Sequence, residues 1–260
     1  MKNIFRYIFL LAIFTIISLS SNASEQSKKL LNPGWSFKGF FGKFDRSSLQ
    51  RGYQVYTEVC AACHSMKYLS YRNLSQQGGP EFSEDQAKII ASQFEVIDGP
   101  NSEGDMFTRP ARLSDNFVGP YANEEAAKFA NGGAYPPDMS VLVKARKGGA
   151  SYIYSVLLGY DDPPSDVSLE DGVYYNTYMS GNKIKMSKPL SEDLVQYIDG
   201  TKATEEQMAK DVSAFLAWAA EPTLEQRHKM GFKAVLYLII ITILVYFSMK
   251  KIWSRIETDV

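Results

Sequence analysis

"VCAACHSMKYLSYRNL", residues 59–74, carries both cysteines of this 260-residue chain and one of its two histidines. Cys60 and Cys63 are three apart, and His64 follows at once. A zinc site would need four ligands, and the rest of the chain offers no cysteine and only His228. A thioredoxin-like pair opens a helix after a strand, whereas these cysteines close a helical pattern. The remaining reading is covalent c-type haem attachment, with thioethers to Cys60 and Cys63 and iron bound by His64.

Outward from the motif, the two chain ends fix the compartment. Residues 1–23 read as a signal peptide removed after Ala23: Lys2 and Arg6 precede the apolar run Tyr7 to Ile17, and small residues follow. Near the other end, "FKAVLYLIIITILVYFSM", residues 232–249, holds a single charge, Lys233. As a helix these residues would rise about 27 Å at ~1.5 Å each, close to a hydrocarbon core. Residues 227–250 are therefore expected to form a single transmembrane anchor, with Lys250, Lys251 and Arg255 opening a cytoplasmic tail, 251–260. Residues 24–226 are then expected to form an exported domain, in the periplasm if the chain is a bacterial inner-membrane protein. They carry 20 Lys and Arg against 27 Asp and Glu, which argues against a nucleic-acid partner.

Two helical patterns frame the domain. "SSLQRGYQVYTEVCAACH", residues 47–64, offers Ser47 or Ser48 as N-cap and sets Leu49, Gly52, Tyr53 and Tyr56 on one face. "EEQMAKDVSAFLAWAAEP", residues 205–222, sets Met208, Val212, Phe215 and Leu216 in register and stops at Pro222. The pair resembles the class I cytochromes c, in which a glycine and an aromatic on the first helix pack across an aliphatic and an aromatic on the last. Gly52, Tyr56, Val212 and Phe215 stand in the matching places. Close approach of the helices gives a reason for a glycine that costs ~1 kcal/mol inside a helix.

An electron carrier fills the sixth iron position, and methionine is the natural ligand where no second histidine is usable. His228 sits at the bilayer entrance. Met66 is too near the attachment point, Met208 lies on the last helix, and class I folds place the ligand on a loop before that helix. Met179 and Met186 remain, and the polar, proline-punctuated "GNKIKMSKPL" favours Met186.

The 122 residues between His64 and Met186 exceed what small class I cytochromes use. The extra chain is distinctive: "EVIDGPNSEGDMFTRPARLSDNF", "PYANEEAAKFANGGAYPPDMS", "KARKGGASYIYSVLLGYDDPP" and "GVYYNTYMSGNKIKM" follow in order. From "NPGWSFKGFFGKFD" to the anchor the chain resembles the cytochrome c1 family, the haem subunit of the cytochrome bc1 complex. The resemblance implies a mainly α, class I cytochrome c fold with large insertions plus one C-terminal transmembrane helix. It implies one haem c on Cys60 and Cys63, with His64 and Met186 as axial ligands. It also puts Arg146, from the family's A-R-x-G-G stretch, and Tyr152 on haem propionates. Some members have a disulfide in the loop before the methionine; this chain has no cysteine left for one.

The implied role is electron transfer without acid–base or nucleophilic catalysis, so the isolated chain is not an enzyme. Electrons would come from a Rieske iron–sulfur protein beside cytochrome b, within a dimeric complex, and pass to a soluble or membrane-bound c-type cytochrome. Acidic residues at Glu95, Asp98, Glu103 and Asp105, and at Asp161 and Asp162, suit steering of a basic carrier. "GGAYPPDMSVL" and "YYNTYM" are expected to give the haem a greasy shell. The alternative is a free-standing, membrane-anchored cytochrome, which a long disordered tether would favour; Pro222 to Met230 is short.

Overall fold

The computed structural model describes residues 28–256. The expected signal peptide and the last four residues of the expected tail lie outside that range. Six helices dominate: α1 (Arg46–Glu58), α2 (Glu84–Ser92), α3 (Glu124–Ala130), α4 (Ala150–Leu157), α5 (Glu205–Ala220) and α6 (Leu224–Ile256). Strand among the described residues is confined to two antiparallel pairs, β1 (Glu95–Asp98) with β2 (Phe107–Pro110) and β3 (Tyr174–Tyr175) with β4 (Lys183–Ile184).

α1 begins one or two residues before the serines expected to cap it. Asp45 is the N-cap, its carboxylate accepting from the Ser47 N–H at 3.1 Å. Ser48 is buried and donates to Asp211 instead. A carboxylate caps the positive end of the helix as well as a hydroxyl does, and adds charge. Thr204 caps α5 through the Gln207 N–H, with Glu205 and Glu206 in the first turn.

The two helices cross at Gly52. A Cβ built there would lie 2.1 Å from the Asp211 carbonyl oxygen and 2.7 Å from the Phe215 Cβ, so only glycine admits the contact. Around this point Leu49, Tyr53 and Tyr56 meet Met208, Val212, Phe215 and Leu216, all buried. Tyr53 and Tyr56 lie 5.7 and 5.9 Å from Phe215, ring centre to ring centre. The aromatic packing continues through Phe117, stacked on Tyr71 at 4.9 Å, and to Trp218, 5.5 Å from Phe215. Each fully buried ring contributes about 1.5–3 kcal/mol, so this seam is the main apolar reason the chain ends come together.

The long insertion closes around that seam. α4 packs on α5, and α2 packs on the short 3-10 helix Tyr71–Ser75. Arg109 of β2 pairs with Asp98 of β1 and with Asp115, tying the hairpin to the loop that follows it.

α6 is the one helix, among the described residues, long and apolar enough to cross a membrane, and its most apolar window is not buried in the protein. It covers the expected 227–250 segment, entering at Leu224 and running on to Ile256. The connection after Pro222 is therefore helical almost at once. A clamp fixes its first turn: Arg46 meets Glu225 through Nη1 at 2.7 Å and Nη2 at 3.0 Å, and the Phe44 N–H donates to the same carboxylate at 3.0 Å. The Glu225 side chain is only 9% exposed. Such a bidentate, charge-assisted pair fixes orientation as well as distance.

Candidate functional site

The thiols stand where α1 ends. After Glu58 the chain tightens into a 3-10 turn, Cys60–Ala62, and the Cys63 and His64 N–H groups donate to the Cys60 carbonyl at 3.1 and 2.9 Å. Both thiols therefore project from one turn. Cys60 is partly buried against the core and Cys63 is exposed; they are not joined to each other. Burial, reinforced by Cys63, pushes the Cys60 thiol up to about 12. A reactive redox pair needs the opposite shift. Nor, among the described residues, do three or more His, Cys, Asp or Glu side chains gather to hold a metal ion. Neither observation supports the zinc or the thioredoxin reading.

His64 is buried, and its Nδ1 lies 2.8 Å from the Pro137 carbonyl oxygen. A carbonyl only accepts, so the proton sits on Nδ1 and the lone pair is on Nε2. Burial lowers the His64 pKa against the opposing pull of that carbonyl and of Asp138, which keeps the ring neutral. A neutral imidazole of fixed tautomer is what an iron ligand requires.

The Pro137 carbonyl is itself held in place. Asp138 accepts from the Ser65 hydroxyl at 2.8 Å, the Lys67 N–H at 3.0 Å and the Ser140 N–H at 2.9 Å, while the Met139 N–H donates to the Ser65 carbonyl at 2.8 Å. Burial alone would raise the Asp138 pKa; the bonds from Ser140, Lys67 and Ser65 outweigh it and leave the carboxylate below its ordinary value. The stretch expected to be greasy therefore works through an acid. Its sequence signal was the Asp two residues before Ser140, which marks an Asx turn. Tyr56 also reaches the site, donating to the His64 carbonyl at 3.3 Å. Beside the second thiol, Ser65, Lys67, Tyr121, Ala127 and Tyr135 line a shallow depression with Cys63.

Met186 follows β4 and packs against the core, partly buried. Its carbonyl accepts from the Tyr160 hydroxyl at 3.0 Å, and its sulfur takes part in no hydrogen bond among the described residues. Met179 differs: the Tyr152 hydroxyl donates to its sulfur at 3.2 Å. Asn176, fully buried, organises this loop, donating to the Val156 carbonyl at 2.8 Å and accepting from the Tyr178 and Met179 N–H groups. Arg146 is exposed, bonded through Nη1 to the Ala145 carbonyl at 3.2 Å. The two glycines after it are needed for the turn into α4: Gly148 and Gly149 have φ of 96° and 59°, left-handed values that Gly tolerates. Arg146 and Tyr152 thus flank one turn.

These residues suit haem c. A thiol pair on one turn meets the spacing of thioether attachment, the adjacent imidazole offers a free Nε2, and a methionine with an unengaged sulfur lies in the loop before the last helix. The class is a c-type cytochrome, with a long apolar helix appended that is compatible with a membrane anchor.

Comparison with known proteins is more specific. The model of the cytochrome C1 family matches residues 35–256. The chain is 47% identical over 243 residues to the mitochondrial heme protein cytochrome c1 1 of Arabidopsis thaliana, covering 93% of this chain and 78% of that protein. It is 46% identical over 244 residues to the cytochrome b-c1 complex catalytic subunit of Candida albicans, covering 92% and 84%. Against cytochrome c1 of Rhodospirillum rubrum the figures are 44% over 254 residues, 92% of each chain. The chain belongs to the cytochrome c1 family, the haem-bearing electron-transfer subunits of the cytochrome bc1 complex.

Proposed function

We propose that this chain accepts single electrons from a Rieske iron–sulfur protein, beside cytochrome b, and passes them to a c-type cytochrome. When bound, the haem supplies a reversible one-electron couple at its iron. Cys60 and Cys63 would hold it covalently, His64 and Met186 would supply nitrogen and sulfur to the metal, and Arg146 and Tyr152, the latter turning its hydroxyl from the Met179 sulfur, would meet its propionates. A methionine ligand raises the potential of such a couple, which suits a late position in a quinol-oxidising chain. Residues 24–226 lie in the periplasm, residues 227–250 anchor the chain in the inner membrane, and 251–260 face the cytoplasm, in a dimeric complex.

The single observation that carries this reading is the Nδ1–Pro137 bond beside the two thiols: it leaves the lone pair of His64 on Nε2, the tautomer that an iron ligand needs. The helical, clamped junction at Arg46 and Glu225 supports a docked subunit over a tethered shuttle. The experiment is co-purification from a mild membrane extract. Capture on this chain is expected to bring b-type haem and an iron–sulfur protein. Recovery of a red chain free of both overturns the assignment in favour of a free-standing anchored cytochrome.

A further inference from the structure

Residues 37–44 form a short loop that protrudes where α6 leaves the domain. Its ends are inside: Phe37 and Phe44 are buried and lie 4.8 Å apart, ring centre to ring centre. The neck is closed by the Gly42 N–H donating to the Gly39 carbonyl at 3.2 Å and the Lys43 N–H to the Ser36 carbonyl at 3.1 Å. A side chain at Gly42 would meet the Phe37 carbonyl oxygen at 2.3 Å. The Gly42 carbonyl accepts from Nδ1 of His228 at 3.3 Å, fastening the loop to α6.

The tip has the opposite character. Phe40 and Phe41 are 55% and 76% exposed and meet edge to face at 5.0 Å. Each lies 6.2 Å from Phe232, which is half-exposed and is the first residue of the apolar run of α6. Lys38 and Lys43 flank the tip, Lys229 and Lys233 project from α6 on either side of Phe232 in sequence, and all four are exposed. Residues 36–44 contain no acid.

We propose that Phe40, Phe41 and Phe232, with Lys38, Lys43, Lys229 and Lys233, form a second membrane contact that seats in the headgroup–acyl boundary of an anionic phospholipid leaflet. The inference rests on α6 spanning the bilayer. Two features select lipid over protein as the occupant. The patch is continuous with the first lipid-facing residue of the anchor, so it stands at headgroup height. It also combines apolar rings with lysines, whose stems lie along apolar surface while the ammonium groups meet phosphate. One transmembrane helix leaves the domain free to turn about the helix axis; a second contact removes that freedom. The buried, tilted contact of Phe37 with Phe44 and the closed neck fasten the tip to the domain.

The test places a spin label on the full-length, haem-loaded chain in vesicles. With both native thiols held in thioethers, Phe41→Cys supplies one reactive thiol, and Leu236→Cys is the reference within the helix. Collision with oxygen, which partitions into lipid, is compared with collision with a water-soluble nickel chelate. At position 41 oxygen is expected to dominate in phosphatidylcholine–phosphatidylglycerol vesicles, less so in phosphatidylcholine alone, and Lys38→Gln with Lys43→Gln is expected to abolish that lipid dependence. Dominance of the nickel chelate at 41 with oxygen dominant at 236 overturns the contact and leaves the anchor intact. Low collision with both reagents at 41 overturns it in favour of burial against protein. Dominance of the chelate at 236 overturns the anchor itself.

Discussion

Gly52 touches the backbone of Asp211: the space a methyl group would need at Gly52 is already taken by the Asp211 carbonyl oxygen, 2.1 Å from the ideal Cβ. The helix that ends in the thiols and the helix that closes the domain are therefore joined main chain to main chain. Gly52→Ala gains ~1 kcal/mol of helix propensity, but a backbone oxygen cannot rotate away, so the helices must separate. Overpacking of this kind costs about 1–3 kcal/mol, a fall in Tm of roughly 2–4 °C per kcal/mol for a domain of this size. Gly231→Ala, with nothing within 4 Å, is the control and is expected to leave thermal unfolding unchanged or slightly raised.

Met186→Ala is expected to keep the haem attached and lower its potential by on the order of 0.1 V or more, within the ~0.8 V range that axial ligands span. Quinol-driven reduction is expected to fail. Met179→Leu, which removes only the acceptor of the Tyr152 hydroxyl, is expected to leave the visible spectrum unchanged. Redox titration of the two variants checks the assignment, and a wild-type potential in Met186→Ala would reject it.

Asp138→Ala releases three donors, Ser65, Lys67 and Ser140, and with them the register of the Pro137 carbonyl on His64. A weaker bond at Nδ1 makes the imidazole a poorer electron donor, which favours ferrous iron. Losing ~1 kcal/mol of that bond would raise the potential by about 40 mV for one electron. Asp138→Asn keeps an acceptor and is expected to recover most of the shift.

Glu225 gives the junction a pH dependence. Burial alone would raise its pKa, but Arg46 and the Phe44 N–H outweigh it and hold the carboxyl below the ordinary 4.5 of glutamate. A depressed folded pKa means stability that is present above 4.5 and lost as the pH falls through the folded value. Wild type is expected to exceed Glu225→Gln in unfolding midpoint at neutral pH, with the gap closing in acid. A gap independent of pH would show that the ion pair contributes nothing.

The acidic residues are not equivalent. Asp98 is engaged by Arg109, while Asp161 and Asp162 are exposed. Reduction of a basic carrier is expected to slow about tenfold or more as the Debye length shrinks from ~30 Å at 0.01 M salt to ~10 Å at 0.1 M. Asp161→Asn with Asp162→Asn is expected to flatten that dependence, and Asp98→Asn is not. Stopped-flow rates against ionic strength decide it.

What could be read from the sequence was whatever is local or periodic. Cys60, Cys63 and His64 are adjacent, and the stripes on α1 and α5 recur at helical spacing, so motif and framing helices were legible. Even Gly52 announced itself, because a glycine in mid-helix calls for a reason. The supports of the site were hidden for a different cause. The acceptor for His64 is a main-chain oxygen 73 residues away, and a carbonyl has no residue identity to read. Asn176 works through three backbone groups, and Glu225 reaches back across 179 residues to Arg46. Asp45 caps the helix in place of the expected serines, and Ser48 bonds Asp211, 163 residues away.

The Arg46–Glu225 fork has a kinetic meaning. The first turn of α6 is bolted to the start of the thiol-bearing helix, and among the described residues α6 runs on unbroken from that point. On the proposed function it is the fixed station of a relay: any gap too wide for an electron to hop would be closed by the neighbours that arrive and depart, never by the post at which they stop.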